Sequence, residues 1–238
     1  MKPSSNYKDR IPRFLLQVIG VILILGGIFS FGVGPVEIFT YSLFTEGGRF
    51  HFDGFGFGSL MFGMITVQVA GYYAIALIAI PLGWGHLKFK PWTRKAALIL
   101  IWDWMVIGLP LTIIAFFMLL TSKNLPSSSL PILILAFITL YPAGPLLARW
   151  FYHRPGIQNA FKSQRDGPSW IDKPQIILVS TSLMAFTTLA LHLPLLFNGI
   201  FPFFNQILSG LNGYMVIDGC ILLSTMLAWG LYRGSRTA

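Results

Sequence analysis

The sequence predicts an all-α, polytopic membrane protein: a bundle of six transmembrane helices with both termini in the cytoplasm. Three observations carry that reading. The first is composition: of the 238 residues 55% are apolar and only 11% charged, with a mean hydropathy of +0.69. A soluble domain carries about 25% charged residues, and surface-to-volume scaling leaves a water-soluble fold too much outer area to hide so much apolar surface. The second is a set of six continuous apolar stretches. The third is the distribution of positive charge along the chain.

A hydrocarbon core of about 30 Å needs roughly 20 helical residues. Stretches of that length run at about 14–33, 59–83, 96–120, 130–149, 175–197 and 212–232, and residues 1–238 form a single transmembrane domain on this reading. The runs are continuous and do not alternate with period two, which argues against a barrel. The first, Phe14 to Val33, follows basic residues as a signal peptide would. It is longer than a signal core and no Ala-x-Ala pattern follows, so it is expected to be a retained span. Clusters of Gly, Pro, Ser and Asn bound the others, among them Gly83-Trp84-Gly85, Asn124 to Ser129 and Arg154-Pro155-Gly156.

Orientation follows from the basic residues. With the N-terminus inside, 15 of the 17 Lys and Arg fall in cytoplasmic segments, and only Arg49 and Lys123 fall on the other side. That asymmetry predicts a plasma or bacterial inner membrane protein with cytoplasmic ends. It also accounts for the net charge of +9 without nucleic acid, since the charge is spread over four short segments and suits an anionic inner leaflet.

The first outer loop, 34–58, is rich in Gly and Phe, and its Glu37–Phe44 part is expected to lie flat in the interface. The last outer loop, Asn198 to Gln206, sets three Phe around Pro202. Both are apolar enough to sit at the headgroups, dip into them or pack on one another. Within the long inner loop 149–174, Gly156–Phe161 has the makings of a short interfacial helix. Trp84-Gly85 and Trp229-Gly230 each precede a basic residue and form a faint internal echo. Any helix leaving a bilayer can carry such an anchor, so duplication is the weaker explanation. Pro81, Pro110, Pro142 with Pro145, and Pro194 are expected to break spans, most sharply at Tyr141-Pro142-Ala143-Gly144-Pro145.

Ionisable residues inside spans are the best functional pointers, because each costs about 2.5–3.5 kcal/mol at mid-bilayer on insertion scales. They are Asp103, His192 and Asp218. From the helix rise, Asp103 lies roughly 10 Å below the inner edge, with Asp218 and His192 roughly 9 and 8 Å below the outer one. His192 and Asp218 are therefore expected to meet as a hydrogen-bonded pair on consecutive antiparallel helices, near Gln68 and Tyr72. Such a pair either accepts protons or orients a ligand, or it simply fixes helix packing. Asp103, between Trp102 and Trp104, either lines a gate on the inner side or turns inward to meet a basic side chain from another helix.

Catalytic motifs are missing. There is no His-Glu-x-x-His and no Gly-x-Ser-x-Gly. Ser209-Gly210 with His192 only loosely resembles an intramembrane serine protease pair, since Ile207 stands where glycine is expected. Gly54-x-Gly56-x-Gly58 lacks a preceding strand and reads as a turn. His51, His86 and His153 are placed in loops, and the lone Cys220 can build neither a disulfide within the chain nor a thiolate metal site.

No catalytic residue, metal or cofactor is therefore expected. Two functional classes stay open. One is a non-enzymatic membrane module that packs with other membrane proteins or holds a lipid-like ligand in the bilayer. The other is a small proton-linked transporter or lipid-modifying enzyme using Asp103, His192 and Asp218. Convergence of Gln68, Tyr72, Tyr73, Asp103, His192 and Asp218 on one cavity would favour the second.

Overall fold

A computed structural model describes residues 7–56, 59–121, 130–162, 171, 173–204 and 206–234. The expected turn at 122–129, the polar stretch 163–170, Gly58, Asn205 and the terminal Lys2 and Arg236 lie outside them. The architecture is helical. In chain order come α1 (Tyr7–Phe44), α2 (Leu60–Leu87), α3 (Pro91–Thr121), α4 (Leu130–Ile138), a π-helical turn (Thr139–Ala143), α5 (Gly144–His153) and α6 (Pro155–Lys162). Then follow α7 (Gln175–Leu191), a 3₁₀ turn (Leu193–Phe197), the short strands β1 (Phe201–Phe203) and β2 (Gln206–Leu208), and α8 (Gly210–Arg233).

Among the described residues, five stretches are long and apolar enough to cross a membrane: Pro12–Phe44, Met61–Leu87, Pro131–His153, Gln175–Phe197 and Gly210–Arg233. The remaining expected span, 96–120, lies within the 31-residue α3.

Three local expectations change. Glu37–Phe44 does not form a separate flat segment, because α1 runs on through it as one helix. Pro81 and Pro110 sit inside α2 and α3 without ending them. In apolar surroundings the helix is the only arrangement that satisfies its backbone locally, so an isolated proline is carried along. The disruption at Tyr141–Pro145 is present. Pro142 lacks an N–H and its ring crowds the preceding turn, and the chain widens into the π turn, where the Gly144 N–H reaches back to Thr139 O. His86 is not in a loop. Gly83-Trp84-Gly85 reads as a boundary, but α2 continues through it.

The chain divides into two compact units, residues 1–18 with 85–179 and residues 19–84 with 180–238. In the first, α3 packs along α5, the π turn and α6. Most of the fully buried apolar side chains are here, including Leu98, Ile101, Tyr152, Ile157 and Phe161. The expected short helix at 156–161 is α6, whose buried residues Ile157, Ala160 and Phe161 fall three and four apart on one face.

In the second unit, α1 and α2 meet along a glycine seam. Gly20, Gly27 and Gly34, seven residues apart, are all buried. A Cβ on Gly27 would stand 2.6 Å from Ile80 Cγ1, and one on Gly34 would stand 3.0 Å from the Tyr73 ring. From the other side, a Cβ on Gly83 would stand 2.6 Å from the Gly20 carbonyl oxygen. Small residues at such a seam let backbones approach and gain van der Waals contact, the main attraction available between helices in lipid.

The loop after α1 folds back on its end. Phe50 N–H donates to Leu43 O and the Tyr41 hydroxyl to Phe55 O at 2.7 Å, while the Phe44 ring packs on Phe50 and Phe52. Before α8 the chain makes a small antiparallel hairpin pairing Phe201 with Leu208 and Phe203 with Gln206. Phe204 at its tip is 93% exposed.

Candidate functional site

Two places merit the term: a polar nest in the first unit and an apolar cleft in the second. The nest is built by the end of α2, the start of α3 and α5. His86, fully buried, shares a hydrogen bond of 2.5 Å between its Nε2 and the Tyr152 hydroxyl. The edges of Tyr152 and Phe161 close round the imidazole, each ring centroid 5.8 Å away. Arg94 Nε donates to Tyr152 O at 3.0 Å, and Lys95 Nζ to Ile171 O at 2.8 Å. The Thr93 hydroxyl is buried against Gly85, where a Cβ would stand within 2.1 Å of it, and has no hydrogen-bond partner among the described residues.

Asp103 is buried further along α3. On either side of it, Trp102 carries the Arg149 guanidinium 4.8 Å from its ring, and Trp104 packs beside Gly108 and Gly144. The neighbouring basic residues Arg94 and Lys95 are turned to backbone carbonyls. His86, Tyr152 and Thr93 are thus site residues that the sequence reading missed. The usable signal was the pair Gly83 and Gly85. Glycines kept inside a helix mark close packing as readily as a helix end, and close packing there buries the imidazole that follows.

The cleft lies between α1 and α2 and is lined by Phe31, Tyr73, Ala76, Leu77, Ile80 and Pro81. Its volume is about 420 Å³, within the ~300–1,000 Å³ of small-ligand sites. The Tyr73 and Phe31 rings meet in a T-shaped contact with centroids 5.4 Å apart, and with the α2 side chains they line a largely apolar surface.

The remaining expected site residues do not gather there. Gln68 Nε2 donates to the Tyr72 hydroxyl at 2.7 Å, one turn away on the same helix. His192, in the turn just past α7, has its Nδ1 hydrogen-bonded to Thr188 O in the last turn of that helix at 2.8 Å. The expected His192–Asp218 hydrogen bond is absent, and both residues are exposed. Depth alone had suggested the pair. The Thr188 carbonyl, one turn back along the chain, satisfies the imidazole with no second helix involved. Thr66, Thr112, Thr139, Thr187, Thr188 and Thr225 likewise donate to the carbonyl four residues back. Among the described residues no group of three His, Cys, Asp or Glu is placed to hold a metal ion. No family model, curated protein or solved structure matches the chain.

Proposed function

We propose that the chain is a non-enzymatic module of the cell membrane, with six spans and cytoplasmic termini, that holds a lipid-like apolar ligand in the α1–α2 cleft and packs with other membrane proteins. The span count adds α3, Pro91–Thr121, to the five stretches already described. The orientation rests on the 15 of 17 basic residues that fall to one side.

One observation carries the ligand reading. The cavity surface is almost wholly apolar; of the polar residues expected to converge, Tyr73 lines it, while Gln68, Tyr72 and His192 bond to groups one turn away along the chain and do not. A proton-linked carrier or a lipid-modifying enzyme needs its polar groups around one wet cavity, and within the second unit His192 and Asp218 neither bond to each other nor line the cleft. An acyl chain asks only for an apolar wall, and since it enters the cleft from hydrocarbon and not from water, close van der Waals contact is what would hold it.

The test is photolabelling in phospholipid vesicles with a diazirine-bearing palmitic acid. Labelling should concentrate on the segment from Tyr73 to Pro81, compete with unlabelled palmitate, and fall several-fold in Ala76→Phe, which fills the cleft. Even labelling of all lipid-facing helices, indifferent to competitor and to Ala76→Phe, would overturn the proposal.

A further inference from the structure

At the end of the Pro131–His153 stretch, two guanidinium groups lie over tryptophan rings. Arg154, the residue that ends α5, has its Cζ 3.6 Å from the centroid of the Trp150 ring. Arg149 stands 4.8 Å from the ring of Trp102 on α3. Neither guanidinium has a hydrogen bond or an ion pair among the described residues. No counter-charge is near in sequence either, since no Asp or Glu occurs from residue 104 to residue 165. Trp150 is 59% exposed, and one turn further into the span Leu146 and Leu147 are exposed by 49% and 64%. They precede Trp150 by four and three residues, and Arg154 follows it by four, the spacings of a single helix face.

We infer that this face of α5 binds an anionic phospholipid, with the phosphodiester on Arg154 and an acyl chain along Leu146 and Leu147. A long basic side chain past the end of a span is free to run out into water. Arg154 is instead held at the depth of the Trp150 ring. Tryptophan favours the headgroup level, which is where phosphate oxygens are found. A guanidinium over an aromatic face keeps its N–H fork for an acceptor, and one already positioned gives up less freedom on binding. An anion is the complement of this uncompensated charge, and Arg149, five residues back on α5, adds to the attraction. The apolar wall beside the charge selects a lipid over free phosphate, because a soluble anion could use Arg154 but not Leu146 and Leu147. The inference rests on reading Pro131–His153 as a membrane span, not on the ligand proposed for the cleft in the other unit.

Electron spin resonance of the full chain in phosphatidylcholine vesicles tests it, with a trace of lipid spin-labelled near the end of one acyl chain. The motionally restricted signal should show about five-fold preference for phosphatidylglycerol over phosphatidylcholine, the selectivity of one well-placed basic residue. Arg154→Gln should abolish the preference. Arg154→Lys, which keeps the charge without the planar fork, and Trp150→Leu, which removes the ring beneath it, should each lower it at least two-fold. Lys88→Gln, which removes an exposed cation from the link after α2, should leave it unchanged. Dihexanoyl phosphatidylglycerol should displace the probe, and inorganic phosphate at the same concentration should not. Equal displacement by the two would assign the site to a soluble phosphate and overturn the lipid. A wild type without the preference would overturn the site outright. So would a loss in Arg154→Gln no greater than in Lys88→Gln, or an Arg154→Lys equal to wild type, since either is the mark of diffuse surface charge. Size-exclusion profiles in detergent identify any variant that has failed to fold, and the two competitors on the wild type need no variant. Release of the protein from membranes by an alkaline carbonate wash would overturn the span and the site together.

Discussion

Alanine at Gly83 is expected to push α1 and α2 apart. The new Cβ would stand 2.6 Å from the Gly20 carbonyl oxygen, where ordinary contact begins at 3.4 Å, and 2.8 Å from Ile24 Cγ1. The first obstacle is backbone, so no side chain can turn away, and the helices must separate by several tenths of an ångström or more. Overpacking of that kind costs about 1–3 kcal/mol. Alanine also gains about 0.8–1 kcal/mol of helix propensity over glycine, which blurs the net effect of the single change. Gly71→Ala removes the blur. Gly71 lies on the same helix with nothing within 4 Å of its missing Cβ, so it takes the propensity gain alone. The two variants should therefore differ by about 1–3 kcal/mol, with Gly83→Ala the less stable. Reversible unfolding by SDS titration in mixed micelles measures both on one scale. Gly83→Ala equal to or more stable than Gly71→Ala would refute the seam. A looser seam also widens the cleft, so photolabelling of the Tyr73–Pro81 segment should change in Gly83→Ala and not in Gly71→Ala.

Tyr152→Phe removes one partner of the buried His86 and should cost about 1–3 kcal/mol. His86→Leu with Tyr152→Phe should cost less than the sum of the single changes, and strictly additive losses in the same titration would count against the bond. His192→Gln and Asp218→Asn should instead add, within about 0.5 kcal/mol, because no bond joins the two residues. A reporter fused after Ala238 should report cytoplasm and one inserted near Ser128 the opposite side; a cytoplasmic signal at Ser128 would defeat the six-span arrangement.

The helices were legible in the sequence because continuous apolar runs of about 20 residues have few alternatives in lipid. Their ends were less so. Glycine and proline signal boundaries in water, where loops are solvated, and at Gly83, Gly85, Pro81 and Pro110 they signalled packing or nothing. That error moved His86 into a loop and hid its bond to Tyr152. Asp103 and Asp218 were found because a carboxyl within an apolar run stands out. Whether each was buried or exposed was not readable, since α3 and α8 lack a polar stripe to mark which side faces a neighbour.

The length of α1 sets it against the bilayer that would hold it. Its apolar stretch, Pro12–Phe44, has 33 residues and is therefore about 50 Å long. At a tilt of about 40°, the upper end of the usual range, it still rises some 38 Å, more than the ~30 Å hydrocarbon core and less than the ~40–45 Å that includes the headgroups. At least a turn of a rigid helix must then stand at headgroup height. The Phe44 end is suited to it, with Glu37 and Tyr41 in its last two turns and the Phe50–Phe55 loop folded against them. A thicker bilayer would draw that aromatic collar into the tails and a thinner one would lift it into water. Either displacement would carry the bond between Tyr41 and Phe55 out of the headgroup layer, so the length of α1 ties that loop to one bilayer thickness.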